Sequence, residues 1–487
     1  MFIILLFNFK FIFIIKFKYL LRQHNLIDIM KTTNNKRRQK IVFIQPRFEN
    51  KKLDRNYKTI YPLGLGYLAA YVPDHWDVEI IDEQVEKIDF DIDVDLVGIT
   101  TTTLTANRAY EIAEEFRKRN KKVILGGVHA SMCPEEAQQY CDAVCIGDGE
   151  HIIGQIIKDF ENNNLKKIYI GKLEPLKNLK LPHRDLFKKK YSFIPVSTSR
   201  GCPFNCSFCA INRFYRGTYR KRDVEDVIEE LKQLPRGYDI VFFTDGNMYG
   251  YSKEDIKRFK TICKRIYEER AKGNLNFKYF MCYVSVNALA DIEALELASK
   301  AGCSVLLVGF ESINPDSLKE MSKGINLKYG VDSYNHLIKN AQNRNMLVVG
   351  ELIVGNDSDD MKTLDRTREF IKKADFDILR LQILQPFPGT RVFEKLKKEG
   401  RLYLKNFPED WKKLRDGFLV GVNFKLKHFE EKELQRWVKK VALEFYSLKN
   451  IIARAWKVFR VSKSIKSALT VIIMSIKSSK TYINLNV

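Results

Sequence analysis

The sequence predicts an α/β protein with two successive parallel sheets and a helical C-terminal region. Over residues 41–400, short runs rich in β-forming residues recur along the chain, and charged segments with helical periodicity separate them. This alternation is typical of parallel strands joined by crossover helices. Residues 401–487 carry mostly helical patterns. A chain of 487 residues can therefore form two cores of ordinary domain size plus a helical extension.

The first unit, residues 41–165, is predicted to be a doubly wound parallel sheet. Strands are expected to begin at Ile41, Val78, Leu96, Val123 and Ala143, with a helix opening at Pro62. A nicotinamide site would need G-x-G-x-x-G directly after a strand, and that spacing is absent. Small or polar residues end the strands, which lets a ligand approach the carboxyl edge of the sheet: Thr101, Thr102, Gly126, Gly127, Gly147, Gly149 and Glu150.

Residues 166–192 are predicted to be a linker, and residues 193–400 to be a second unit of strand–helix repeats. Six strands are expected, near Phe193, Tyr238, Lys278, Ala301, Asn345 and Asp377. Gly201 is expected to turn the chain sharply off the first of these strands. In barrels built from such repeats, chemistry lies at the carboxyl ends of the strands.

Three cysteines follow that first strand at C-x3-C-x2-C spacing: Cys202, Cys206 and Cys209. Three thiolates can hold three irons of a 4Fe–4S cubane and leave the fourth iron open to a small molecule. A structural zinc site usually has four ligands in paired half-sites, and no second C-x2-C or H-x3-H pair occurs. Nine cysteines in a lysine-rich chain without a convincing secretion signal argue against disulfides.

The cysteine octet resembles the signature of the radical S-adenosylmethionine (radical SAM) superfamily, over roughly residues 41–415. The resemblance implies a partial (β/α)6 barrel, of the type related to the TIM barrel. It also implies that Cys202, Cys206 and Cys209 hold the cluster that cleaves S-adenosylmethionine, with the backbone at Phe208 against the adenine. Further contacts to that cofactor would come from the ends of later strands: Asp245, Asn247, Ser285, Asn287 and Glu311.

The first unit is similar to the Rossmann-like cobalamin-binding domain that precedes the barrel in one branch of that superfamily. The segments PLGLGYLAA, ITTTT, GGVHAS and IGDGE carry this similarity. Free-standing cobalamin modules have a D-x-H-x-x-G loop whose histidine ligates cobalt, and the corresponding stretch from Gln45 contains no histidine. His129 is expected to be a loop contact or a polar rim residue, not a cobalt ligand.

Membership in this cobalamin-binding branch implies methylation of an unactivated carbon in a small-molecule or lipid substrate. It also implies an electron donor of the flavodoxin or ferredoxin type. Three alternatives stay open: radical cyclisation or rearrangement, RNA modification of the methylthiotransferase type, and a non-catalytic cobalamin carrier or sensor. The RNA-modifying type usually has a second cysteine triplet and a terminal β-barrel, and the sequence shows neither.

Both ends of the chain are basic, and they hold much of the net charge of +23. Residues 1–40 are either a membrane-surface anchor and linker or sequence upstream of a true start at Met30 rather than Met1. The basic, apolar segment after Lys449 either lies on an anionic membrane or is a solvated tail with a helix packed on the barrel. We expect a cytoplasmic protein with no nucleic-acid partner. If the basic C-terminal segment lies on a membrane, the protein would be peripheral to the inner membrane face.

Overall fold

The computed structural model of the protein describes residues 37–48, 60–188, 191–416, 420–462 and 465–483. The predicted leader and the choice between Met1 and Met30 lie outside these described residues.

The first sheet has six parallel strands in the order β2-β1-β3-β4-β5-β6. Apolar side chains of β1 enter cores on both faces, Val42 and Ile44 on one and Ile41 and Phe43 on the other, which confirms the doubly wound arrangement. The strands are β1 Gln39–Gln45, β2 Trp76–Asp82, β3 Leu96–Thr100, β4 Lys122–Gly126, β5 Ala143–Ile146 and β6 Ile168–Ile170, the last within the stretch 166–192. The helices are Leu63–Ala69, Ala106–Lys118, Gly127–Met132, Pro134–Ala137 and Ile153–Glu161.

The second sheet is the predicted partial barrel. Its six parallel strands follow the order β14-β13-β12-β11-β10-β7, with β7 and β14 at the two ends. They are β7 Ile194–Val196, β10 Ile240–Phe243, β11 Tyr279–Val284, β12 Cys303–Glu311, β13 Leu347–Val354 and β14 Ile378–Ile383. The helices are Ala210–Phe214, Val224–Lys232, Lys253–Ala271, Val286–Ala290, Ile292–Ala301, Pro315–Glu320, Gly324–Tyr329, Tyr334–Gln342, Met361–Lys373 and Arg391–Lys398.

The turn at Gly201 differs from the prediction. The first barrel strand ends at Val196, and Gly201 instead ends β8, Ser199–Gly201, which pairs antiparallel with β9, Tyr219–Lys221. The cysteine loop therefore begins at a small hairpin above the barrel. Polar Ser197 and Thr198 end the first strand early, and Asp245 holds Thr198 through two hydrogen bonds.

The C-terminal region is helical, as predicted, and covers the inner face of the barrel sheet. Its helices are Trp411–Asp416, Glu431–Phe445, Leu448–Ser462 and Ile465–Ile483. Val458 and Val471 pack on that inner face. The hydroxyls of Tyr446 and Tyr482 each bond a backbone N–H and C=O of β14, which covers an otherwise unpaired strand edge. Among the described helices, none has the length and apolarity to cross a bilayer.

Candidate active site

The cysteine loop runs from Cys202 to Cys209 at the carboxyl edge of the barrel, between β8 and helix Ala210–Phe214. Gly201 enters it with a φ of +91°, and a Cβ there would overlap the carbonyl oxygen of Thr218. Only glycine meets both demands, because other residues rarely adopt this backbone conformation and would collide with the hairpin partner.

Hydrogen bonds from the ends of two neighbouring helices hold the cysteine loop at Ser207. Ser207 N donates to Met321 O at 2.9 Å, and Ser207 Oγ donates to Glu320 O at 3.0 Å. Val392 N donates to Ser207 O at 3.1 Å. These bonds use only backbone and hydroxyl groups. The loop is therefore held in place while its three thiols stay available as ligands.

The three thiols suit an iron–sulfur cluster. All three cysteines are free and partly exposed, and burial raises the pKa of Cys202 to about 12 and that of Cys206 to about 11. The other two thiols of the loop add to the rise of the pKa at Cys202. No three His, Cys, Asp or Glu residues among those described converge on a single-ion site. Three free cysteine thiols on one short loop are the ligand type that iron–sulfur clusters take.

Four predicted contacts to S-adenosylmethionine, Asp245, Asn247, Ser285 and Asn287, are all buried around the loops that follow β10 and β11. Asn247 Nδ2 donates to Ser285 Oγ at 2.8 Å, and Asn287 Nδ2 donates to Gly250 O at 3.0 Å. The Oδ1 atom of Asn287 is buried without a hydrogen-bond partner. An orphaned acceptor of this kind fits a ligand donor such as an ammonium group.

Asp245 has a structural role that the sequence did not predict. Its carboxylate accepts bonds from Thr198 N at 3.1 Å, from Thr198 Oγ1 at 2.7 Å and from Ser199 Oγ. Asp245 therefore fixes the segment that leads into Cys202. Whether it also touches S-adenosylmethionine stays a prediction.

Glu311 lies beside the cysteine loop, and its partner is a lysine that sequence reasoning missed. Lys323 Nζ lies 2.7 Å from Glu311 Oε1, and both side chains are less than one-tenth exposed. Burial disfavours the charge of Lys323, but Glu311 and Cys206 outweigh this and hold its pKa above the usual range. Glu311 has a φ of +61°, a strained conformation for a side-chain residue, which is typical of functional sites. The sequence around Lys323 contains no recognisable motif. Its position beside Glu311 is therefore visible only in the folded structure.

The carboxyl edge of the first sheet presents backbone rather than side chains. Thr101 Oγ1 donates to Gly126 O at 2.7 Å, and Ala130 N donates to Thr101 Oγ1 at 2.9 Å. Thr102 N donates to Thr105 Oγ1 at 3.1 Å. Gly127 and Gly147 have φ values of +89° and +82°, and Gly149 lies close to Leu68. These loops place glycines and internally bonded hydroxyl groups at the edge, where a ligand can approach the backbone closely.

The two edges are joined by buried ion pairs. Arg200 Nη1 lies 3.0 Å from Asp148 Oδ2, and Arg200 Nη2 pairs with Glu150 Oε1. Arg220 Nη2 lies 2.6 Å from the same oxygen of Asp148. The carboxylate of Glu150 therefore already forms an ion pair with Arg200. Whether Glu150 also contacts cobalamin stays a prediction. Sequence reasoning missed Arg200, although Arg200 stands two residues before Cys202.

His129 is neither a rim residue nor free to contact a ligand. It is fully buried, with Nε2 3.1 Å from Glu136 Oε1 and Nδ1 3.2 Å from Thr103 Oγ1. Trp411 Nε1 donates to the same Glu136 oxygen at 2.9 Å. His129 thus belongs to a network that ties the first domain to the C-terminal region.

Comparison with known proteins reveals the family. Residues 55–157 match the B12 binding domain, and residues 196–371 match the radical SAM superfamily. Bacteriochlorophyllide d C-8(2)-methyltransferase of Chlorobaculum tepidum is 31% identical over 421 residues, covering 82% of this chain and 89% of the relative. Hopanoid C-2 methylase of Rhodopseudomonas palustris is 26% identical, covering 77% of this chain and 73% of the relative.

Two solved structures share the fold. The methyltransferase TsrM from Kitasatospora setae, with cobalamin and a [4Fe-4S] cluster bound, superposes with a TM-score of 0.62 at 17% identity, covering 74% of this chain and 75% of that one. The cobalamin-dependent radical enzyme OxsB, with aqua-cobalamin bound, gives 0.66 at 14% identity, covering 89% and 72%. The cysteine loop and the small-residue edge stand in the two domains that define one enzyme family, and the chain belongs to it: the cobalamin-binding radical SAM enzymes, whose cofactors are a 4Fe–4S cluster, S-adenosylmethionine and cobalamin.

Proposed function

We propose that this enzyme transfers a methyl group to an unactivated carbon of a small-molecule or lipid substrate. One observation carries the proposal: Arg200 joins the hairpin of the cysteine loop directly to the Asp148–Glu150 loop of the cobalamin domain. The two cofactors would then act on one shared space. Relatives of at least 30% identity that are named methyltransferases support the same reaction.

When bound, the cluster supplies the electron that cleaves S-adenosylmethionine to a 5′-deoxyadenosyl radical, and cobalamin supplies the methyl group. The protein's own residues bind and orient the reactants. Cys202, Cys206 and Cys209 would hold three irons, and Asn287 Oδ1 would accept a hydrogen bond from the methionine ammonium. Asn287 is buried, so its amide oxygen would meet the ammonium group shielded from water, where the hydrogen bond is stronger.

The test is anaerobic purification and iron–sulfur reconstitution with hydroxocobalamin, followed by S-adenosylmethionine and a reductant. Mass analysis should find both 5′-deoxyadenosine and S-adenosylhomocysteine. Deoxyadenosine alone would instead favour cyclisation or rearrangement. Absence of both products, with cobalamin bound, would overturn the proposal and favour a carrier or sensor. The electron donor proposed is a flavodoxin or ferredoxin, because no amino-acid side chain supplies an electron at low potential.

We also propose that the protein is cytoplasmic, in a reducing compartment. Its last two helices would bind the anionic surface of the membrane that faces this compartment. Leu448, Ile452 and Trp456 recur at helical spacing and are 56–73% exposed. On the next helix Ile465, Leu469 and Ile473 are 50–68% exposed. Lysines and arginines accompany these side chains, and no acidic residue follows Lys449. Apolar stripes with basic neighbours are typical of helices that lie in a membrane interface.

Vesicle flotation tests this location. We expect the full chain to float with vesicles of phosphatidylcholine and phosphatidylserine, and less with phosphatidylcholine alone. A Trp456→Ser/Ile473→Ser variant should stay at the bottom. Ile170→Ser removes a side chain that is 60% exposed on β6, so it is a matched control and should float. Failure of the unmodified chain to float with either vesicle would contradict the proposal.

A further inference from the structure

The cysteine loop reaches the protein surface just before its second cysteine. Asn205 is exposed and is bonded directly to Cys206, whereas Ser207, on the other side of Cys206, is buried. Helix Ala210–Phe214, which follows the last cysteine, contacts helix Gly127–Met132 of the first domain. An electron from outside must cross the protein surface near a ligand of the cluster. The exposed Asn205 stands one covalent step from such a ligand.

Two aromatic rings lie beside Asn205 at this surface. The ring of Phe204 packs edge-on against that of Tyr251, with centroids 5.7 Å apart. Tyr251 is 51% exposed, and Lys328 Nζ lies 5.9 Å from the centre of its ring. Tyrosine is enriched in protein interfaces, because its rigid ring supplies a large contact area at a low cost in conformational entropy. Tyr251 can therefore supply such contact area to a partner.

Exposed cations accompany these rings. Arg391 Nη2 donates to Asn205 O, and among the described residues this is the one hydrogen bond of its guanidinium, so most of its five donors stay available. Arg213 Nε donates to Gly389 O at 3.1 Å, two positions before Arg391 in the chain. Arg213, Lys328 and Arg391 are all exposed. We call the following set the basic surface: Asn205, Arg213, Tyr251, Lys328 and Arg391.

A cavity of about 270 Å³ shares Arg391 with the basic surface and reaches Ser207 of the cysteine loop. Its lining includes two cations and two carboxylates: Arg391, Lys395, Glu320 and Asp357. The side chain of Asp357 is 8% exposed, and three cations pair with it: Lys395, Arg401 and Lys427. The charge of Asp357 is therefore more than balanced. An acidic side chain of a partner would meet an excess of positive charge here.

We propose that the basic surface is the docking site of a small, acidic electron-transfer protein that reduces the cluster. Exposed cations attract a partner of opposite charge and speed its docking. One electron leaves the donor, which is oxidised by one electron, and the cluster is reduced by one electron; no proton or group moves. This inference rests on the proposed function, because cleavage of S-adenosylmethionine needs an electron from outside.

Stopped-flow reduction of the oxidised, reconstituted holoenzyme tests the inference with two donors of opposite charge. Reduced flavodoxin is the acidic protein donor, and reduced methyl viologen is a small cation. At low salt, Lys328→Gln/Arg391→Gln should slow reduction by flavodoxin at least about tenfold, because two attractive charges are lost. Reduction by methyl viologen should not slow. Added salt should slow reduction by flavodoxin more in the unmodified enzyme than in the variant, because salt screens exposed charges.

Two matched variants separate charge from other effects. Lys328→Arg/Arg391→Lys keeps both charges and should be reduced by flavodoxin at nearly the original rate. Lys300→Gln/Arg436→Gln removes two exposed cations from helices outside the basic surface, Ile292–Ala301 and Glu431–Phe445, and should leave both rates unchanged.

The same flavodoxin rate in all variants would overturn the inference, as would failure of flavodoxin to reduce the unmodified enzyme. Slower reduction of Lys328→Gln/Arg391→Gln by both donors would also overturn it, because the cluster itself would then be altered. In each case, 5′-deoxyadenosine and S-adenosylhomocysteine formed with methyl viologen as donor would leave the proposed function standing. Absence of both products, with the expected flavodoxin rates, would remove the proposed function and leave the docking site standing.

Discussion

The two carboxyl edges that meet in this enzyme are built differently. At the barrel edge, side chains with chemical capacity stay available: three free thiols and an orphaned amide oxygen on Asn287. At the edge of the first sheet, the polar side chains named below already form hydrogen bonds or ion pairs within the protein. Thr101 bonds Gly126, His129 bonds Glu136, and Glu150 pairs with Arg200.

The difference shows how each cofactor is held. The barrel edge offers ligand atoms, so its cofactors would be bound through named side chains. The first edge offers small residues and backbone in fixed conformations, so cobalamin would be held mainly by shape and backbone contacts. Substitutions should therefore act through lost ligands at one edge and through distorted loops at the other.

The largest expected effect is that of Cys206→Ala. Removal of one of three thiolates should prevent stable cluster assembly and abolish 5′-deoxyadenosine formation. Hydroxocobalamin should still bind, because no residue of the first edge is changed. Iron content, the visible spectrum and product analysis would check this. Loss of cobalamin together with the cluster would break the separation between the two edges.

Arg200→Met should have the next largest effect, because it breaks the link between the edges. Arg200, Asp148 and Glu150 are each at most 10% exposed, and unpairing buried charges costs about 3 kcal/mol. Urea unfolding should show this loss, and Arg200→Lys, which keeps the charge, should lose less. A Met variant as stable as the original chain would contradict the role assigned to the link.

Gly127→Ala tests the backbone edge directly. Gly127 has a φ of +89°, and a Cβ there would lie 2.7 Å from Thr100 Oγ1 and from the backbone of Thr101. Strain of about 2 kcal/mol is expected, with weaker hydroxocobalamin binding and an unchanged iron content. Gly64→Ala is the matched control, since a Cβ at Gly64 meets nothing within 4 Å. Equal cobalamin affinity in both variants would show that the loop conformation does not matter.

The smallest effect concerns Asp82 at the end of β2, whose carboxylate accepts a bond from Tyr191 at 2.9 Å. Burial raises its pKa to about 6. The folded state therefore holds the proton of Asp82 more tightly than the unfolded chain does. The stability that this proton contributes is fully present below the unfolded pKa and is lost as pH rises through about 6. Because of Asp82, the free energy of unfolding should fall by about 1 kcal/mol between about pH 5 and about pH 8. Asp82→Asn should abolish this fall.

Thermal or urea unfolding of both proteins at the two pH values would measure this difference. Asp377, whose pKa burial also raises to about 6, contributes with the same sign and is unchanged in the variant. The comparison between the two proteins is therefore the informative quantity. Parallel pH profiles would contradict the assignment to Asp82.

Sequence reasoning predicted the fold and the cofactors because both depend on local patterns. The cysteine spacing, the strand–helix alternation and the small residues after β3–β5 are all visible in short windows. Arg200 and Lys323 were missed, because each acquires its role only from a partner that the fold brings to it. Arg200 and Glu150 are separated by fifty positions in the chain. The domain boundaries and the individual ligand contacts stay predictions.

The most direct test of the account is electron paramagnetic resonance of the reduced, reconstituted enzyme with and without S-adenosylmethionine. We predict the signal of a reduced 4Fe–4S cluster, whose g-values shift when S-adenosylmethionine is added, because three thiolates leave one iron open to it. A cluster signal that S-adenosylmethionine leaves unchanged, or protein that assembles no cluster under strict exclusion of oxygen, would contradict the account.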